Sequence, residues 1–245
     1  AHVSAGSSIY ISAGSTLTLG DASAPGFFSA PTFAAFSALT PTNGTVELHA
    51  GTFNFGDDLL INGDVSAAGS ISASSSGDIF VSSGANVRSD NAISFIATDD
   101  VQIDSGALVA ASLNPVAGYA GGTDPLNEPA TLFIKAGGNG TPASDTFSAV
   151  RVGGTLQANG ASVVIEGDAV EIGGNPVNTG SLFITTPRPV GGSGDDADLS
   201  AGCTVGIVCL GSVNATDIVR VGQATGTDGI PDDVILSGNI SANII

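Results

Sequence analysis

The chain has 245 residues, of which 42% are hydrophobic and only 11% charged, and 23 acidic residues against five basic ones give a formal net charge of −18. Because binding to a phosphate backbone requires clustered Lys and Arg, and the basic residues here are scattered singly, this composition excludes nucleic acid as a partner. No apolar run approaches the roughly 18 residues of a membrane-spanning helix, so the sequence predicts no membrane insertion.

The recurring element along the chain is a short alternating segment that ends in glycine. Apolar residues at every second position predict a strand with one face turned inward, and glycine supplies turn conformations that other residues resist. Copies of this strand phrase occupy residues 8–14, 45–51, 78–84, 100–106 and 131–137. The sequence therefore predicts an all-β chain of many short strands separated by corners.

Within the all-β class, the residue types favour a right-handed parallel β-solenoid, or β-helix. The inward residues are mostly Ile, Val, Leu and Ala, which stack in uniform ladders along a narrow core, whereas aromatic residues make up 5% of the chain and Trp is absent. A β-sandwich, whose core usually contains bulkier residues, is the alternative.

A Phe-rich insert, residues 25–41, interrupts the strand pattern. The spacing of Phe33, Phe36 and Leu39 fits a short helix with Pro31 in its first turn. Such a helix would cap the open end of a solenoid. The alternative is that Phe33 and Phe36 form a binding or polymer contact.

Composition divides the chain into three parts. Residues 1–185 are predicted to form the solenoid body, residues 186–202 an acidic, glycine-rich linker, and residues 203–245 a set of C-terminal strands. The start at Ala1 and the absence of Met suggest removal of an initiator and of any signal peptide, so the protein is expected to be secreted, extracellular or on the cell surface.

The two cysteines, Cys203 and Cys209, flank a short alternating stretch and are predicted to form a local disulfide. Both histidines are remote in sequence, so the two thiols make a poor zinc site. Free buried thiols are the alternative.

The strongest metal candidate is the acidic segment 227–233. It resembles the Asp-Gly-Ile-Pro-Asp unit of thrombospondin type 3 calcium repeats, and this resemblance implies calcium binding by Asp228, Asp232 and Asp233. The alternative is a plain acidic turn between two strands. No other cofactor is predicted.

No motif for catalysis is present. Neither His2 nor His49 lies in a nucleophile motif, and the paired aspartates at 57–58, 99–100 and 195–196 lie in corners or in the linker, where turn geometry favours Asp. The sequence therefore predicts that the protein is not an enzyme.

The segment 62–112 resembles the repeat region of filamentous haemagglutinin-like bacterial adhesins in its alternation of Gly-Asp or Gly-Ser corners with short strands. That resemblance implies a secreted β-helix that mediates attachment.

Both ends of the chain are rich in residues that favour strands. Ile240, Ile244 and Ile245 form either the last rung of the domain or a strand that completes the sheet of a neighbouring copy. The predicted function is a structural subunit of an extracellular filament, sheath or surface layer, with copies of itself as partner. The alternatives are a monomeric adhesin or carbohydrate-binding module with a cell-surface or glycan ligand, and a solenoid carbohydrate-active enzyme.

Overall fold

The structure is a computed structural model that describes residues 2–3, 9–15, 17–19, 38–39, 45–51, 57–111, 130–137, 148–186, 199–204, 206–222 and 231–244. The strands are β1 (His2–Val3), β2 (Ile9–Ala13), β3 (Leu17–Leu19), β4 (Ala38–Leu39), β5 (Val46–Ala50), β6 (Leu59–Ile61), β7 (Asp64–Ala67), β8 (Ile71–Ser75), β9 (Ile79–Val81), β10 (Asn86–Ser89), β11 (Ile93–Ala97), β12 (Val101–Ile103), β13 (Leu108–Ala111), β14 (Ala130–Lys135), β15 (Ala149–Val152), β16 (Thr155–Glu166), β17 (Ala169–Ile172), β18 (Val177–Thr185), β19 (Ile207–Leu210), β20 (Val213–Ala215), β21 (Val219–Val221), β22 (Asp233–Leu236) and β23 (Ile240–Ser241).

These strands form two sheets in which every described pair is parallel. The larger sheet has 15 strands, and its main path runs β1-β4-β7-β10-β13-β16-β14-β11-β8-β5-β2. The smaller sheet has eight strands in the order β22-β19-β17-β15-β12-β9-β6-β3. Each strand therefore pairs with strands that are distant in sequence, and its neighbours along the chain lie elsewhere in the two sheets.

The long strands β16 and β18 join the two arms of the larger sheet. The first part of β16 pairs with β13, and its second part pairs with β14. The register against β18 shifts between Ala158 and Ser162, and Gly180 of β18 lies against the backbone of Gly160. Both strands therefore turn a corner without leaving the sheet.

One apolar core lies inside the two sheets. Along β5, β8, β9 and β11 the buried positions alternate with exposed or half-buried ones, as period-two alternation predicts. Parallel pairing stacks like residues over one another: Val65, Val87 and Val109 form one ladder, and each is buried. The core thus consists of aliphatic ladders contributed by both sheets.

The backbone conformation at the end of the strand phrase explains why glycine occurs there. Gly51, Gly84, Gly106 and Gly137 all have positive φ, between 72° and 93°. Residues with a Cβ rarely adopt this region, so the corner after each of these strands depends on glycine. The predicted strand-then-corner reading of these phrases is confirmed at these four positions.

The predicted right-handed β-solenoid with a short capping helix is wrong, although the all-β class is correct. The strands form two parallel sheets curled into a half-barrel, and no helix occurs in the described parts of the chain. Leu39, assigned by its spacing to the helix, lies in β4, which pairs with β1 and β7, so sheet pairing overrides local periodicity here. The alternative β-sandwich is wrong as well, because sandwich strands pair antiparallel.

The remainder of the Phe-rich insert, including Phe33 and Phe36, lies outside the described residues. So does most of the predicted linker at 186–202. The strands of residues 203–245 add to both sheets: β19 pairs with β17, and β20 and β21 pair with β18. Among the described residues, none belongs to a helix that is long and apolar enough to cross a membrane.

Candidate functional site

The C-terminal edge of the smaller sheet exposes apolar side chains. Strand β22 pairs with β19, so that Val234 lies beside Val208 and Leu236 beside Leu210. The two β19 residues are buried, whereas Val234, Ile235 and Leu236 are 44%, 42% and 61% exposed. The aliphatic ladder of the core therefore continues onto an open edge at β22. We use the name C-terminal edge for β22 together with Ile244, which bridges Ile218 beside the larger sheet.

The predicted assembly residues fall in different environments. Ile244 forms a parallel bridge with Ile218 and is 59% exposed, whereas Ile240 is partly buried against the core. Ile245, Phe33 and Phe36 lie outside the described residues. Val234 and Leu236 were not among the predicted assembly residues. A terminal stretch of alternating apolar residues was the available signal, and it did not show which strand would lie at the edge.

The predicted calcium ligands are only partly described. Asp228 lies outside the described residues, and Asp232 and Asp233 are exposed at the start of β22. The backbone N–H of Asp232 donates to the carbonyl of Gly206 at 2.7 Å, which fixes the turn into the strand. Calcium binding at this segment stays a prediction.

A different acidic group lies at the corner that precedes the strands of the smaller sheet. Asp78 and Asp100 are buried, Asp99 is half-buried, and one carboxylate oxygen from each lies within 4.8 Å of the other two. Sequence reasoning identified Asp99 and Asp100 as turn residues and did not connect them with Asp78, which lies one strand earlier in the sheet. Parallel stacking brings the three together.

These carboxylates hold the backbone of adjacent strands. The N–H of Asp78 donates to Asp58 Oδ1 at 3.0 Å, and the N–H of Asp100 donates to Asp78 Oδ1 at 2.9 Å. The N–H of Ala149 continues the series by donating to Asp100 Oδ1 at 2.6 Å. Each carboxyl oxygen accepts a backbone N–H at the start of a neighbouring strand, so this aspartate ladder stabilises the entry into each strand.

Asp168 lies at the same corner on the strand that follows. Its Oδ2 accepts the N–H of Ser148 at 3.2 Å, and its carbonyl accepts the N–H of Gly206 at 2.7 Å. Burial raises the pKa of the Asp168 carboxyl, and the hydrogen bond from Ser148 opposes part of that change. Ionisation of the Asp168 carboxyl is therefore less favourable in the folded state than in the unfolded chain.

Replacing Asp168 with Asn is expected to raise the melting temperature at pH 7. The pKa of this carboxyl is higher in the folded state than in the unfolded state, so ionisation lowers the stability of the fold as pH rises through the folded pKa. The loss of stability disappears at pH values below the unfolded pKa, near 3.8. The benefit of D168N should therefore vanish near pH 3, because the amide oxygen can still accept the Ser148 N–H. Thermal melts across this pH range provide the test.

The control for this experiment is D64N, since Asp64 is exposed and also accepts a backbone N–H, from Asn86 at 3.2 Å. A D64N benefit as large as that of D168N would show that the gain comes from lowering the net charge and not from the burial of Asp168.

The disulfide between Cys203 and Cys209 is present. Cys209 lies on β19, and its bond holds the preceding segment against the outside of the smaller sheet. In that segment the N–H of Ser200 donates to Glu171 Oε2 at 2.7 Å, and the Ser200 hydroxyl donates to the other carboxylate oxygen. Leu199 packs against Ala149 and Ala169. A disulfide of this kind is typical of an oxidising environment.

Two of the five basic side chains, Lys135 and Arg220, make contacts within the fold. Lys135 forms an ion pair with the buried Glu166 at 3.2 Å, and the Arg220 guanidinium lies 4.5 Å from the centre of the Phe183 ring. Both pairs lie on the outer face of the larger sheet, where they compensate part of the negative charge and cover an aromatic ring.

Comparisons with known protein families, with curated proteins and with solved structures find no match. The resemblance to haemagglutinin-like adhesins therefore stays a prediction.

Proposed function

We propose that the protein is a non-catalytic, secreted structural subunit of an extracellular filament, sheath or surface layer, and that it associates with copies of itself through the C-terminal edge. The observation that supports this proposal is the exposure of Val234, Ile235 and Leu236 on β22, which is an edge strand of the smaller sheet among the described residues, together with the exposure of Ile244, which bridges Ile218. An open edge presents unpaired backbone N–H and C=O groups, so another strand can extend the sheet there.

The two edges of the smaller sheet differ. At the other edge, Leu17 and Thr18 of β3 are both buried. Among the described residues of these two edge strands, the exposed apolar side chains are therefore those of β22. A contact between two copies of this edge has two-fold symmetry and closes as a dimer, so a filament requires a second contact surface elsewhere on the subunit.

Self-association is expected to be lost when the edge is made polar. We expect the double substitution of Leu236 and Ile244 with Gln to weaken association at least about tenfold, because both side chains are more than half exposed and contribute apolar area to the contact. Sedimentation velocity over a range of protein concentrations measures this effect and distinguishes a dimer from an open-ended polymer.

The matched control is Ile96→Gln, which replaces a 40% exposed Ile on an interior strand of the larger sheet. This variant should associate as the unmodified protein does. A wild-type protein that stays monomeric throughout, or a double variant that associates equally well, contradicts the proposal.

A further inference from the structure

An exposed aromatic side chain packs against a histidine on the outer face of the larger sheet. Tyr10 is 65% exposed, and its ring lies 5.4 Å from that of His49, centroid to centroid, at an angle of 44°. His49 Nδ1 is in turn hydrogen-bonded to Ser74 Oγ at 2.6 Å. The contact with this hydrogen-bonded imidazole limits the orientations of the Tyr10 ring, although most of the Tyr10 surface faces solvent.

Polar side chains extend from this ring across the neighbouring strands. Parallel register places Tyr10 of β2 beside Glu47 of β5, then Ser72 of β8 and Ser94 of β11. Strands are spaced about 4.8 Å apart, so these residues form a straight line across the sheet. The line faces outward, because the adjacent residues Ile11 and Leu48 are buried in the core.

A second line runs parallel to the first one. It consists of Ser12, His49, Ser74 and Ile96, in the same order of strands. Together the two lines form a flat surface that we call the Tyr10 face. It combines one aromatic ring with hydroxyl, imidazole and carboxylate groups.

The charge of this surface restricts what it can bind. The outward positions of β2, β5, β8 and β11 contain no Lys or Arg, and the carboxylate of Glu47 lies next to Tyr10. The chain as a whole has a net charge of −18. An anionic polymer would therefore be repelled, whereas a neutral ligand with many hydroxyl groups would not.

We propose that the Tyr10 face binds a neutral carbohydrate chain, with one sugar ring stacked on Tyr10 and its hydroxyls hydrogen-bonded to Glu47 and to the serines of the two lines. An exposed, oriented tyrosine offers a flat apolar surface with a polar end, and a few placed polar groups around it fix a ligand's orientation. This role is separate from self-association, because the Tyr10 face and the C-terminal edge lie on different strands.

The test uses the full chain with the substitution Tyr119→Phe. The sequence has no Trp and only two Tyr, so Tyr10 then provides the only tyrosine fluorescence. Cellotetraose, chitotetraose and mannotetraose are titrated as neutral probes, and an alginate oligomer of similar length serves as the anionic probe. We expect saturable fluorescence changes with at least one neutral probe and none with alginate.

Variants of the Tyr10 face test where the carbohydrate binds. Their affinities are measured by isothermal titration calorimetry, because this method does not depend on Tyr10 fluorescence. Y10A should weaken binding about tenfold or more, and E47Q should weaken it to a smaller extent. Y10F, which keeps the ring, should retain most of the affinity, as should L236Q on the C-terminal edge, which lies outside the Tyr10 face. Circular dichroism confirms that each variant is folded.

Absence of saturable binding to all three neutral probes overturns the proposal, as does unchanged affinity in Y10A. Alginate binding as tight as that of the neutral probes also overturns it, because the argument from charge would then be wrong. None of these results affects the sedimentation experiment, so the two proposals fail independently.

Discussion

Replacing Phe95 with Ala is expected to lower the free energy of unfolding by about 3–5 kcal/mol. Phe95 is fully buried on β11, where parallel register places it between Ala73 of β8 and Ile134 of β14. It is the largest side chain of this ladder, and its small neighbour Ala73 cannot fill the space that Ala at position 95 would leave. The loss combines the transfer of a buried ring with the cost of the resulting cavity.

Urea unfolding followed by circular dichroism measures this effect, and the adjacent substitution Ile96→Ala is its control. Ile96 lies on the same strand but faces outward and is 40% exposed, so its truncation should change the free energy of unfolding by less than about 0.5 kcal/mol. Equal losses in the two variants would show that β11 does not have the register described.

The local structure was predictable because its causes are local. Alternation of apolar residues determines which side of a strand is buried, and a glycine with positive φ determines where the strand ends. Both signals are present in the phrases that end at Gly84 and Gly106, where the observed strands β9 and β12 precede the glycine by a few residues.

The arrangement of the strands was less predictable. Alternation of apolar residues does not indicate which strands pair with each other. Strands β9 and β12 have only three residues each, which is too few to indicate a pairing partner. The spacing that brings Val65, Val87 and Val109 into register becomes visible only when the pairing is known. The helix predicted around Leu39 failed for the same reason, because pairing with β1 and β7 determines the conformation there.

The candidate sites likewise differ in whether the sequence alone could predict them. The disulfide joins cysteines six residues apart, so the sequence alone indicated it. The acidic group of Asp78, Asp99 and Asp100, and the contact between Tyr10 and His49, unite residues from different strands. Their proximity is a consequence of parallel stacking, and no spacing in the sequence shows it.

Close stacking of backbone at the corners leads to the second large effect, that of Gly211→Ala. The N–H of Gly211 donates to the carbonyl of Ile172 at 2.7 Å, and a Cβ at this position would overlap the carbonyl oxygen of Gly173. Gly238 lies against Gly211 in the same manner on the next strand. Here glycine is required because neighbouring backbones approach too closely for any side chain.

We expect G211A to lower the free energy of unfolding by about 3 kcal/mol or more, since relief of the overlap requires backbone atoms to move and weakens the pairing of β19 with β17. The control is Gly174→Ala, where a Cβ would meet nothing within 4 Å and φ is not positive. That substitution should be neutral or slightly stabilising, because it reduces the conformational freedom of the unfolded chain.

The variants G211A and G174A also test whether the corner at Gly211 affects the proposed self-association. Strand β22 pairs with β19, which ends beside Gly211, so displacement of this corner in G211A should disturb the C-terminal edge. Where G211A remains folded, its self-association in sedimentation velocity should weaken, whereas G174A should associate as wild type does. Loss of stability without any change in association would place the contact between copies away from β22.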